Sequence, residues 1–431
     1  MSADKNKSIL QTITGSRLAV VLTLSLAVIV APSLYGGDKK KDKNKPAAEA
    51  PAETPEARIG KIIQNLDLSR IVWPNPPAIT RIRYLNYWSG EKFVAPKQQE
   101  KKKSSWMERV AGVTTGETKD TKPRWQLVVP NGIAIDSKNR VYVADSKVRA
   151  IFIVDVETGS YEMIKNGSDA RFQWLTGLTI DDSDRLFAAD SGLHHVTVFD
   201  ANRKFEGSIS EGMYDPGNLA IDNENRLLYV TDAEQDLVLV YDADPPYKLL
   251  RKIGKPGTKH TSTEPGEFAK PTGVAVDADG NVFVADTWND RIEVFDADGN
   301  FIRAFGKAGD GPGYFARPKG IAIDGDGHLW VADAVQDRVQ VFTPEGRLLI
   351  YLGGHGMMPG QFQSLVNVAI DKNNRVFTTE QMAGRLQIFR YVNNAEARAE
   401  LDRRNAEAKK KLEDKRKTAA DAKPSETPAK N

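Results

Sequence analysis

The chain contains no cysteine in its 431 residues. That excludes disulfides, thiol nucleophiles, cysteine-ligated zinc and a lipidated cysteine after a leader. Histidine is nearly as scarce: His194, His195, His260, His328 and His355 are the five. No pair of them has zinc-like i,i+4 or strand-alternating spacing. Excess charge of one sign is missing too, since 60 Lys and Arg face 58 Asp and Glu. A balanced chain gives no global argument for nucleic acid, which needs clustered cations. No nucleophile elbow, P-loop or dinucleotide fingerprint occurs.

Apolar runs are short, with one exception. Lys5, Lys7 and Arg17 precede residues 18–35 (LAVVLTLSLAVIVAPSLY). A basic start, an apolar stretch and small residues after it resemble a secretory leader. The stretch also approaches the length of a membrane span. Residues 1–36 are therefore read as a signal peptide or an N-terminal anchor. Both place the rest outside the cytoplasm, periplasmic or secreted, with an uncleaved 18–35 segment held in the inner membrane.

Residues 37–77 begin with a Lys/Ala/Pro/Glu-rich stretch lacking apolar periodicity, and are expected to be a flexible linker. Residues 395–417 hold i,i+4 pairs such as Glu400 with Arg404 and Glu407 with Lys411, which favour helix. Residues 393–431 should form an exposed charged helix and then a disordered tail. These basic ends would add weak attraction to an anionic envelope surface.

Between the ends a unit recurs six times. An apolar strand ends in an acid, a turn follows, and a second apolar strand ends in an acid. The first strands are GIAID (132–136), GLTID (177–181), NLAID (218–222), GVAVD (273–277), GIAID (320–324) and NVAID (367–371). The second acids are Asp145, Asp190, Asp232, Asp286, Asp333 and Glu380. A period in the forties with several short strands per unit signals a propeller. A third strand (RIEVFD, 291–296), an Asp-Gly turn and a fourth strand (FIRAFG, 301–306) complete a four-stranded antiparallel meander. The sixth unit lacks a fourth strand. TRIRYLNYW (80–88) has the required character and is predicted to supply it, closing the ring and hiding a sheet edge. The fold class is therefore all-β, a six-bladed propeller over residues 78–392. An apolar residue stands nine positions before each first acid (Leu127, Phe172, Met213, Phe268, Phe315, Phe362) and is expected to plug the gap between blades.

PTGVAVDADGNVFVADTWNDRIEVFD (271–296), RPKGIAIDGDGHLWVADAVQDRVQVF (317–342) and the loop GPGYFARP (311–318) resemble the NHL repeat. The likeness extends to bacterial exported NHL proteins of unassigned function. Asn218 and Asn367 depart from it by replacing the repeat glycine, and His195 and Leu237 replace its Arg. The resemblance implies a six-bladed propeller with a binding surface, but not one activity.

Longer loops precede each first strand and join second to third strands, so both kinds share one face. Trp125, Trp174, His194, Tyr214, Trp288, Tyr314, Arg317, Lys319, Gln336 and Met358 are the ligand-binding candidates there. Aromatics and arginine suit recognition of a protein or peptide partner. The six second acids are read as structural caps of backbone N–H groups rather than a cation ring. Arg291, Arg338 and Arg385, five residues later, are their ion-pair or stacking partners. No catalytic residue, metal ligand or cofactor is assigned, and nucleic acid is not expected. The expected molecule is a monomeric binding module. The alternative is a metal-dependent lactonase or lyase acting at the central channel mouth. That alternative needs acids, Asn or His around the positions before the repeat glycine: Asn131, Thr176, Gly217, Thr272, Lys319 and Val366.

Overall fold

A computed structural model describes residues 66–90, 125–167, 169–255 and 260–421. The leader or anchor segment and the last ten residues lie outside these. Among the described residues, no helix is long and apolar enough to cross a membrane.

Six antiparallel sheets form the molecule. Blade one comprises Pro130–Ile135, Val141–Asp145, Ala150–Val154 and Tyr161–Lys165. Blade two comprises Leu175–Ile180, Leu186–Asp190, His195–Phe199 and Phe205–Ile209. Blade three comprises Pro216–Asp222, Leu227–Asp232, Leu237–Asp242 and Leu249–Ile253. Blade four comprises Pro271–Val276, Val282–Asp286, Arg291–Phe295 and Phe301–Phe305. Blade five comprises Pro318–Ile323, Leu329–Asp333, Arg338–Phe342 and Leu348–Gly353. Blade six has Leu365–Ile370, Arg375–Glu380 and Arg385–Tyr391.

The outer strand of blade six is Ile82–Trp88, as the sequence predicts. It runs antiparallel to Arg385–Tyr391, with Ile82 opposite Tyr391 and Trp88 opposite Leu386. Ordered chain begins before residue 78. The turn Leu68–Arg70 leads to the short strand Val72–Trp73, which adds a fifth strand to this blade. Trp73 meets Phe389 edge-on, with ring centroids 5.8 Å apart. Leu68, Ile71 and Trp73 pack against the core cluster shared by blades five and six, which explains why this stretch is held.

Each core lies between neighbouring blades, because both faces of each blade are apolar. Leu127, Phe172, Met213, Phe268, Phe315 and Phe362 are all buried there. First acids fold their own turns: Asp136 Oδ1 accepts from the amides of Lys138 and Arg140, and Asp371 Oδ1 from those of Asn373 and Arg375. Such Asx geometry fixes the short turns of the face opposite the loops.

The charged helix α1 spans Asn394–Asp421. Its first turns are docked rather than exposed. Ala397 is buried, Arg81 donates to Asn394 at 2.7 Å, and Arg83 pairs with Glu400. The Glu400–Arg404 pair forms at 2.6 Å.

Candidate functional site

The second acids are fully buried, and their oxygens are taken up by loop donors. Asp145 accepts from the amides of Val128, Val129, Lys147 and Val148. Asp190 accepts from Gln173, Trp174 and Leu193, and Asp232 from Tyr214 and Gln235. Asp333 accepts from Ala316, Val335 and Gln336. Asp286 takes the Ala269 amide and the Arg291 guanidinium, and Glu380 takes the Gln363 amide and Arg385. Burial nevertheless pushes the Asp286 and Glu380 carboxyls up. The five aspartates each tie the loop leading into their blade to the loop between its second and third strands, with Asn289 completing this for Asp286, whereas Glu380 ties its leading loop to Arg385 and Gln387 of the third strand.

That arrangement positions the exposed apolar groups of the loop face. In blades one to three the residue held at the leading loop is Val128, Trp174 or Tyr214, with exposures of 41, 48 and 60%. In blades four to six the leading-loop residue is Ala269, Ala316 or Gln363. There the group two positions after the acid is apolar instead: Trp288, Val335 or Met382, with exposures of 53, 65 and 78%. Every blade therefore presents at least one large apolar side chain near this rim, and blade five adds Tyr314. Val128, Val335 and Met382 were not singled out from the sequence. The offset shared with Trp288 is the signal that points to the last two.

The other candidates fall into separate groups. His194 Nδ1 contacts the Tyr214 carbonyl and so braces that ring's loop. Trp288 packs edge-on against His260, centroids 6.0 Å apart. Lys307 Nζ stands 4.5 Å from the Tyr314 ring centroid. Gln336 donates to the carbonyls of Gly309 and Tyr314 at 2.8 and 3.0 Å. Arg317 pairs with Asp290 at 3.1 Å, and burial pushes that carboxyl up although Arg317 pulls it down. Arg317 and Gln336 line one cleft of about 550 Å³ with Asp290, Gly309, Val335 and Arg338. Trp125 is half-buried, 6.0 Å from Lys165 Nζ, and Met358 is half-buried in the loop leading into blade six. The candidates thus ring the face rather than converge on one pocket. Arg291 and Arg385 pair with their blade's acid at 2.8 Å. Arg338 instead donates to the Asp310 carbonyl and stacks over Tyr351 at 5.4 Å.

The channel mouth is lined by amides and hydroxyls that bond from blade to blade. Asn131 donates to Ser146 and to the Leu175 carbonyl, and accepts from Gln381. Thr176 donates to the Pro216 carbonyl at 2.8 Å, and Thr231 to that of Thr272 at 3.0 Å. Asn367 Nδ2 reaches Asn218 Oδ1 at 2.8 Å, joining blade six to blade three across the ring. Lys319 is half-buried without a carboxylate neighbour, and its ammonium is held below the usual lysine range by desolvation. Among the described residues, no group of three His, Asp or Glu is placed to hold a metal ion. A divalent cation would meet already-bonded amides and a lysine here. These residues do not fit such an ion, and no chemistry is derived through one.

The molecule is a six-bladed β-propeller with a rim of apolar side chains. Residues 315–342 match the NHL repeat profile, and residues 208–306 match the SMP-30/gluconolactonase/LRE-like region. The protein brain tumor of Drosophila melanogaster is 50% identical over 44 residues, covering 10% of this chain and 4% of the relative. A probable peptidyl-alpha-hydroxyglycine alpha-amidating lyase of Caenorhabditis elegans is 35% identical over 113 residues, covering 25% and 30% respectively. The chain thus spans less than a third of these curated relatives. Among solved structures, a gluconolactonase of Xanthomonas campestris is similar at 20% identity and TM-score 0.47, covering 62% of this chain and 89% of that one. A streptogramin B lyase is similar at 14% identity and TM-score 0.45, covering 62% and 85%.

Proposed function

We propose that this protein is an extracytoplasmic binding module whose loop face docks a protein or peptide partner. The observation that carries this reading is the rim. Six blades each expose at least one large apolar side chain, and the repeat aspartates of blades one to five bond to the loops that carry them. Aromatic and apolar groups held on rigid loops suit macromolecular recognition, because little side-chain freedom is lost on contact. The basic leader and the apolar 18–35 segment support the location.

The enzyme reading, a lactonase or lyase acting at the mouth, draws on the match over residues 208–306. Among the described residues, the amide-and-hydroxyl lining with Lys319 offers it no carboxylate or imidazole to work with.

Site-specific photocrosslinking in the native cell envelope tests the reading. A benzophenone side chain would replace Trp174 or Trp288, and a control would replace Asp298 on the opposite face. The expected result is a discrete protein adduct from the two rim positions only. Equal adducts from all three, or none from the rim, would remove the proposal. Turnover of lactones by purified protein, lost in Lys319→Met, would favour the enzyme.

A further inference from the structure

We infer that the cleft between blades one and two takes an acidic side chain of the docked partner, held by Arg149 and Arg171. This rests on the protein-binding reading and assigns the chemistry of one contact within it.

The position four residues after each second acid adopts positive φ in all six blades, as Gly384 in blade six. In blades three, four and five it is an acid: Asp236, Asp290 and Asp337, with φ 55, 52 and 50°. Each reaches onward to the next blade. Asp236 accepts from the Lys270 amide at 2.8 Å, Asp290 from Arg317 at 3.1 Å and Asp337 from the Leu365 amide at 3.1 Å. Blade one places Arg149 there, with φ 57°. The carboxylate that stitches neighbouring blades elsewhere is thus replaced by a guanidinium.

The next blade's leading loop contributes a second guanidinium. Arg149 and Arg171 line one cleft of about 270 Å³ with Asn166, Phe172, Gln173 and Leu193. Among the described residues, no carboxylate lines it. Both arginines are exposed, and neither side chain donates to a described residue. Asn166 Oδ1 is already committed to the Phe172 amide at 2.7 Å. Two unpaired guanidiniums over an apolar floor make a receptor for a planar oxyanion. Trp174 stands exposed beside Gln173, so a partner reaching the cleft also crosses one of the apolar rim groups.

The surrounding charges choose the class of partner. In this pair of loops Lys147, Arg149, Lys165 and Arg171 are opposed by Asp169 alone. The loops of blade three, residues 210–215 and 233–236, carry Glu211, Asp215, Glu234 and Asp236 with no Lys or Arg of their own, and Lys270 of the next blade offsets only Glu234, at 3.1 Å. A polyanionic backbone running along the face would leave the positive arc and meet this acidic one. A protein segment with one or two carboxylates fits inside the positive arc without that conflict.

The test uses the full chain and a fluorescent oligoglutamate peptide at low ionic strength, followed by anisotropy. An oligoglutamine peptide of equal length and an oligouridylate run alongside. The expected result is binding of oligoglutamate alone, weakened by about tenfold or more in Arg149→Gln/Arg171→Gln, as befits loss of charge-assisted hydrogen bonds. A variant of equal charge change on the opposite face, Lys138→Gln/Arg347→Gln, should bind as wild type. Absence of oligoglutamate binding, or equal weakening in both variants, overturns the inference. Tighter oligouridylate binding through the same arginines overturns it in favour of nucleic acid. If rim crosslinks to a partner persist undiminished in Arg149→Gln/Arg171→Gln, the inference falls while the protein-binding reading stands.

Discussion

The Asn367 carboxamide donates to that of Asn218 at 2.8 Å, linking the innermost strands of two blades that face each other across the ring. Both stand where the repeat elsewhere has glycine. The bond bridges the channel just below the mouth. Each single change to Ala should cost about 1 kcal/mol, and the double change less than the sum, the mark of a direct pair. Urea denaturation of the three variants measures this, and strict additivity would deny the coupling.

Glycine at the matching position in other blades answers to crowding. A Cβ on Gly273 would lie 2.0 Å from the Lys319 carbonyl oxygen of the next blade. Gly273→Ala should therefore destabilise by about 3 kcal/mol or more, since backbone must shift. Gly325→Ala, with no atom near its Cβ, is the tolerant control. Similar midpoints for the two would contradict the close approach.

Glu293 predicts a pH effect. Its buried carboxylate accepts from the Gly266 amide, and burial raises its pKa to about 7, with Arg291 offsetting only part. The folded value lies above the usual 4.5, so folding favours the protonated acid. That contribution is complete below pH 4.5 and is lost as pH rises through about 7. Blades five and six use Gln340 and Gln387 at this place, accepting from Gly313 and Gly360 at 2.8 and 2.9 Å. Glu293→Gln should therefore be more stable than wild type at pH 8 by about 1–3 kcal/mol, with the advantage gone at pH 4. Chemical denaturation at the two pH values decides.

Asp145 accepts from four backbone amides. Asp145→Ala leaves them without an acceptor and should cost about 3 kcal/mol or more. Hydrogen exchange should quicken at Val128 and Val129 before it does in the strands. Unchanged protection there would mean that the acid does not hold the loop.

Lys319 makes the opposite prediction. Its ammonium is desolvated without a compensating anion, so the folded pKa is depressed. Wild-type stability should then rise as pH climbs through that depressed value toward the ordinary lysine range. Lys319→Met should lack that rise and melt higher at pH 7, as scanning calorimetry would show.

The ring was legible because one local rule is written six times. The spacing of Asp136, Asp181, Asp222, Asp277, Asp324 and Asp371 fixed register, and the missing fourth strand pointed back to residues 80–88. The loop face was readable by elimination, since short Asp-Gly turns claim the other. Relations between distant residues were not legible. Asn218 and Asn367 appear only as departures from the repeat, and their bond needs the closed ring to bring them together. Val335 and Met382 share the offset of Trp288 from their blade's acid, but only their exposure in the folded ring separates them from packing residues. Docking of α1 also escaped, because one buried alanine and the pairs Arg81–Asn394 and Arg83–Glu400 leave no apolar stripe to read.

The strand Ile82–Trp88 is borrowed from far upstream, and only hydrogen bonds and packing keep it in blade six. The circle is thus fastened by a clasp rather than by a continuous thread. A protease cut within residues 91–124 would leave two fragments that remain assembled, and the separate piece could be swapped or competed away. Pulling on the N-terminal side would load this seam before any other blade.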